Sequence, residues 1–236
     1  MLEEGKNLII NEGSGTVRIV EVHSRMETDY DKFRRGVTAG MMETPVLPSR
    51  DGTIMARIKG IWSVLFIQQP PRLRNIQYRD QPEDKPKVFT LAFPWVILGL
   101  KFQGKGCVEV FARAARAPVV STRSELVNLP LPNSEESGKR CMGPEFGLTV
   151  NTGSSIAEVA VAVQSYFDGS TYNRDLPRNA LEFPKEFGPP EFDGVLGTLV
   201  AWQKWTEKAG KKWQDIVNID FKPVESFGVF ASRLPI

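Results

Sequence analysis

An α+β fold is predicted for this chain, and three features of its 236 residues carry the prediction. Apolar, β-branched runs follow one another between residues 60 and 115, joined by short turn-forming connections. A long irregular stretch, 118–153, comes next, and helical patterns come after it. Strands first and helices afterwards, without alternation, is the layout of segregated layers.

Toward the N-terminus, VRIVEV (17–22) alternates as a strand after the flexible EGSG. METDYDKFRRG (26–36) is expected as a short helix ending at Gly36. MMETPVLPSRDGTIMARIKG (41–60) reads as an extended segment with a turn at Asp51-Gly52. Residues 1–59 are therefore expected as an N-terminal extension packed on the main domain.

IWSVLFI (61–67), LRNIQYR (73–79), KVFTLAFPWVILGLKF (87–102) and CVEVFARAA (107–115) are the expected strands of a four-stranded antiparallel meander. Their turns are QQPPR, DQPEDKP and QGKG. The third run is apolar on both faces, which predicts a central, doubly covered strand with a bend or bulge at Pro94. In SSIAEVAVAVQSYF (154–167), Ser154 or Ser155 can cap a helix, Glu158 can close the box, and Ile156, Val159, Val163 and Phe167 share one face. LGTLVAWQKWTEKAGKKW (196–213) holds a second helix with Trp202 and Trp205 inward and its lysines outward. DIVNIDF (215–221) is expected as a last strand or extended segment, so the main domain spans 60–221 and 222–236 form a tail.

Composition narrows the function classes. A net charge of +2 does not advertise nucleic acid as a partner. Two cysteines make no disulfide framework, and His23 as the one histidine leaves no Cys/His metal cluster, so neither metal nor cofactor is expected. MLEEGKNLII lacks the apolar core of a signal peptide, and no run approaches the ~18 apolar residues of a membrane span. A cytoplasmic location is expected. EGSGTV lacks the Gly-Lys-Ser/Thr of a phosphate loop, and no G-x-S-x-G accompanies His23. Arg72, Arg74 and Arg79 around Tyr78 read as a solvated sheet face before they read as a nucleic-acid surface. The Trp202/Trp205 pair reads as helical core.

The chemistry concentrates in LPNSEESGKRCMG, residues 131–143, where Asn133 precedes Gly138 by five positions and Cys141 by eight. This spacing, after a meander and before a helix, resembles ubiquitin-conjugating enzymes, and especially the divergent prokaryotic families of mobile elements. FTLAFPWVILGLKF, LPLPN…G…CMG and YFDGSTYNRDL fall in the order those families show. The resemblance covers roughly residues 60–220 and implies a UBC-like fold: meander, active-site-like loop, C-terminal helices. It also implies that Cys141 carries a ubiquitin-like modifier as a thioester, delivered by an activating enzyme, and passes it to an amine. Sulfur is intrinsically nucleophilic enough for that exchange. Asn133 would brace the loop or donate to the oxyanion, Gly138 and Pro132 would shape the turn, and Asp175 would orient and deprotonate the incoming amine. Lys139 and Arg140 would place positive charge beside the thiol.

Leu131 stands where that family has histidine, no convincing counterpart of the family's helix for the activating enzyme precedes the meander, and MGPEFGLTV lacks an expected tryptophan. These departures sustain the alternative of a non-catalytic UBC-like scaffold in a mobile-element or viral assembly. Cys107, at a strand start, is expected to be structural.

Overall fold

One long antiparallel hairpin organises the chain. The computed structural model describes residues 6–11, 16–21, 25–29, 42–47, 52–81, 83–143, 146–169, 171–173, 184–190 and 194–236. The arms of the hairpin are β6 (Trp62–Gln69) with β7 (Arg72–Tyr78), and β8 (Lys87–Phe93) with β9 (Trp95–Gln103). A single register runs its whole length, from Trp62↔Gln103 and Gln69↔Val96 to Arg72↔Phe93 and Tyr78↔Lys87. Pro70 and Pro71 interrupt one arm and Pro94 the other at the same level of the ladder. Proline has no N–H to donate, so the ladder breaks there and the hairpin turns a corner. Its two halves enter different sheets.

The near half joins a main antiparallel sheet with β10 (Gly106–Ala115), β11 (Glu125–Val127), β13 (Pro223–Ser226), β5 (Gly52–Lys59) and the two-residue β4 (Met42–Glu43), in the order β13-β11-β10-β9-β6-β5-β4. This sheet is curled into a half-barrel. The far half, with the short parallel strand β12 (Thr171–Tyr172), makes a second sheet of order β12-β7-β8. Strands β1 (Lys6–Asn11), β2 (Thr16–Glu21) and β3 (Arg25–Asp29) form a third, antiparallel sheet.

The expected UBC-like meander is therefore corrected. A meander needs each strand to pair with the next in one sheet, but β6 pairs with β9, and the strands between them leave the sheet. The expected single strand 87–102 is two strands, parted at Pro94. Residues 26–29 of the expected helix at 26–36 belong to strand β3, whose pairing with β2 overrides local helical preference; residues 30–36 lie outside the described residues. Strand β5 and its hairpin to β6 run across the expected boundary at residue 59. Residues 222–236, expected as a tail, hold β13 and α4 (Phe227–Ser232).

Both faces of β9 are covered, as its composition predicts. Val96, Leu98, Leu100 and Phe102 enter one core, beneath α2 (Ile156–Gly169) and α3 (Val195–Ala209). Trp95 and Ile97 enter the other, with Phe66, Phe227 and Phe230. A Cβ on Gly99 would lie 3.0 Å from Leu234 Cδ2, so glycine lets the C-terminal residues close on the sheet. Helix α2 starts on the predicted box: Glu158 N–H donates to Ser155 Oγ (3.2 Å) and Ser154 N–H to Glu158 Oε2 (2.6 Å). Trp202 of α3 is fully buried, stacks on Phe187 and donates Nε1–H to Ala92 O at 3.0 Å. Among the described residues no helix is long and apolar enough to cross a membrane.

Candidate active site

Residues 131–141 fold as a tight loop docked on the outer edge of β10. Strand β11 covers that edge only at Ala114. Farther along, the loop takes over: Ala112 N–H donates to Gly138 O and Arg140 N–H to Val110 O, both at 2.8 Å. The loop closes on itself through Glu135 N–H to Lys139 O (2.8 Å) and Cys141 N–H to Asn133 O (2.9 Å). The two residues that the spacing singles out are thus joined through their backbones.

Two positive φ values make this closure. Asn133 sits at φ 58° and Gly138 at φ 89°. Asparagine tolerates the left-handed region better than most residues. Glycine at 138 is required twice over, because a Cβ there would stand 2.9 Å from the Arg113 guanidinium and 3.1 Å from Ala112 O. Arg113 is itself fixed: it donates Nε–H to the buried Glu225 carboxylate (2.8 Å) and Nη2–H to Glu136 O (2.6 Å). Burial lowers its pKa, an effect that Glu225 opposes.

Cys141 is exposed and lines a groove of ≈ 1070 Å³ with Asn133, Tyr166, Tyr172, Asn173 and Arg79. Short helix α1 (Phe146–Val150), α2 and β12 build its other walls. Tyr166 O–H donates to Met142 O at 2.9 Å and pins the segment after the cysteine to α2. Asn133 Oδ1 accepts from Asn173 N–H at 3.0 Å, which ties the loop to the segment after β12. Among the described residues neither Asn133 Nδ2 nor its backbone N–H has a hydrogen-bond acceptor.

Of the two positive charges next to the thiol in sequence, Lys139 is engaged elsewhere, while the buried Arg140 keeps an electrostatic interaction with Cys141. Lys139 Nζ pairs with Glu109 Oε1 at 2.6 Å, raising the Lys139 pKa and, chiefly through that hydrogen bond, lowering that of Glu109. Arg140 is buried, donating Nη2–H to Pro132 O (2.6 Å) and Nη1–H to Leu131 O (3.4 Å). Its guanidinium carbon lies 5.3 Å from the Tyr172 ring centre and 5.7 Å from that of Phe167. Pro132 shapes the loop as the acceptor of this arginine. Leu131, in the family's histidine position, is fully buried.

Asp175 lies outside the described residues, as does His23. Cys107 is buried, and burial pushes its thiol up to about 12, so it is no nucleophile. Tyr166, Tyr172 and Asn173 were not among the residues that spacing singles out. Their signal was the segment YFDGSTYN, legible as a motif but without a partner until the fold sets it against residue 133. Among the described residues no group of histidine, cysteine and acidic side chains could hold a metal ion. A scan of family models and searches of curated proteins and of solved structures found no match to this chain.

Proposed function

We propose that the groove is an acyl-transfer site in which Cys141 accepts the C-terminal tail of a ubiquitin-like modifier as a thioester and passes it to an amine. One observation carries the reading: an exposed thiol and an asparagine whose amide donors have no acceptor among the described residues line the same groove and are held together by a backbone hydrogen bond. The reading rests on this site and owes nothing to a UBC-like sheet.

The chemistry needs little else. The Cys141 thiolate adds to the carbonyl carbon of an incoming thioester, the tetrahedral oxyanion collapses, and the donor thiolate leaves. An amine then adds to the new thioester, Cys141 leaves as thiolate, and the amine's proton passes to solvent. The two adducts each carry an oxyanion, for which an amide donor is worth roughly 10²–10³ in rate. Asn133 Nδ2 is a side-chain donor on the wall of the groove beside Cys141.

A peptide thioester with a glycine C-terminus tests this without the natural activating enzyme. Wild-type protein should gain the peptide mass on Cys141 in a bond cleaved by dithiothreitol. Cys141→Ala should gain none, and Cys141→Ser should acquire a dithiothreitol-resistant ester if it reacts at all. A reductant-sensitive adduct that survives Cys141→Ala would refute the assignment.

The second reading, a binding scaffold, draws on the pairing of Lys139 with Glu109 and the burial of the Arg140 guanidinium against Pro132. A folded protein that binds the acyl peptide but never forms the adduct would decide for it.

A further inference from the structure

Arg140 is a buried cation with no carboxylate partner among the described residues. Its donors reach the carbonyls of Leu131 and Pro132, it also hydrogen-bonds to Tyr172, its Nε–H has no acceptor among the described residues, and the rings of Tyr172 and Phe167 lie against it. Burial lowers its pKa, an effect opposed first by Tyr172, yet a guanidinium stays protonated in proteins. A charge removed from water costs several kcal/mol unless something compensates it. Carbonyl dipoles and π faces do so in part.

The position of this charge matters more than its cost. No peptide bond among the described residues is cis, and in a trans peptide the C=O and N–H point in opposite directions. The Pro132 carbonyl is aimed at Arg140, so the Asn133 N–H of the same peptide is aimed away from it. Among the described residues neither that N–H nor Asn133 Nδ2 has an acceptor, and Asn133 lines the groove beside Cys141. Pulling on the carbonyl oxygen polarises the peptide and makes its N–H a stronger donor. Tyr172, which also lines the groove, is one of the two rings against which the guanidinium lies.

We propose that the groove binds an anionic oxygen of its ligand, a peptide ending in a free α-carboxylate, on the backbone and side-chain amides of Asn133, with Arg140 supplying the compensating charge from behind the wall. Arg140 is thus a positioning residue: it acts through the 132–133 peptide and does not touch the ligand. This rests on the acyl-transfer reading for why a peptide carboxylate is the ligand, since that carboxylate is the hydrolysed form of the thioester.

The test is protection of Cys141 from iodoacetamide, a neutral reagent, by acetyl-tetraglycine as its free carboxylate and as its C-terminal amide. In wild-type protein the carboxylate should protect at about tenfold lower concentration than the amide, the weight of one charge-assisted hydrogen bond. Arg140→Lys should keep the preference and Arg140→Met, shown by its thermal melt to be folded, should lose it. Equal protection by both peptides, or protection by neither, overturns the anion site, and this wild-type comparison holds even if Arg140→Met does not fold. A preference that persists in folded Arg140→Met overturns the role of Arg140. No acyl group moves in this assay. A carboxylate preference without thioester formation would sink only the acyl-transfer reading, and thioester formation without the preference would sink only the anion site.

Discussion

Replacing Gly138 with alanine puts the loop geometry at risk in a calculable way. At φ 89° the new side chain is strained whatever space surrounds it, at a cost of roughly 1–2 kcal/mol. Its Cβ would also stand 2.9 Å from Arg113 Cζ and Nη1, closer than real contacts allow. Arg113 cannot yield without leaving Glu225, whose carboxylate is buried with it. Breaking a buried pair costs about 3–5 kcal/mol, and a partial displacement about half of that by proportion. The sum is roughly 2.5–4.5 kcal/mol, which lowers the melting temperature of a domain this size by about 5–18 °C. Gly104, at φ 59° with nothing within 4 Å of its Cβ, is the internal control. Gly104→Ala should cost only the strain, roughly 1–2 kcal/mol. The assay is paired thermal and urea denaturation, with iodoacetamide labelling of Cys141 as a local probe. Equal losses for the two variants would refute the claim that Gly138 is held by contact with Arg113.

Three further predictions concern the thiols, the core and pH. Ellman's reagent should titrate Cys141 alone in folded protein and Cys107 only after denaturation, since burial holds Cys107 up at about 12; rapid labelling of both in the native state would contradict the fold around β10. Trp202→Ala should cost about 3–5 kcal/mol in urea unfolding, from a cavity beside Phe93 and Phe187 and the orphaned Ala92 carbonyl. Glu109 has a folded-state pKa below its unfolded value, so its contribution is present above the unfolded pKa and is lost as pH falls through the folded one. Solvent reaches the Lys139 pair, so Glu109→Gln should remove at most about 1 kcal/mol at neutral pH, and nothing at a pH below the folded value.

Much of the secondary structure is legible because its causes are local. The capping box at Ser154, Ser155 and Glu158 lies within one turn of helix, and the periodicity of Val159, Val163 and Phe167 marks the face that is buried. The two-faced apolar run of β9 is likewise visible in composition. The helix expected from residue 26 fails at 26–29 because pairing with β2 outweighs the preference of a polar segment. The meander fails for a related reason. Pro70, Pro71 and Pro94 are plain in the sequence, but that they fall opposite one another depends on the register of two arms far apart along the chain.

The candidate site divides along the same line. The interval from Asn133 to Gly138 to Cys141 is enough to point to a closed turn, because it needs residues that accept positive φ. It does not say where neighbouring side chains go. Lys139 turns to Glu109 on β10 and Arg140 turns inward to Pro132, Phe167 and Tyr172.

By itself, then, the order of residues determined the two-faced strand β9, the capped helix and a loop turned at glycine, all products of interactions spanning a few positions. Only tertiary structure decided that the hairpin bends into two sheets, that one cysteine is sealed and the other open, and that a guanidinium lies behind the wall of the groove. Those outcomes depend on hydrogen-bond partners and burial contributed by distant segments, whose meeting no local pattern encodes.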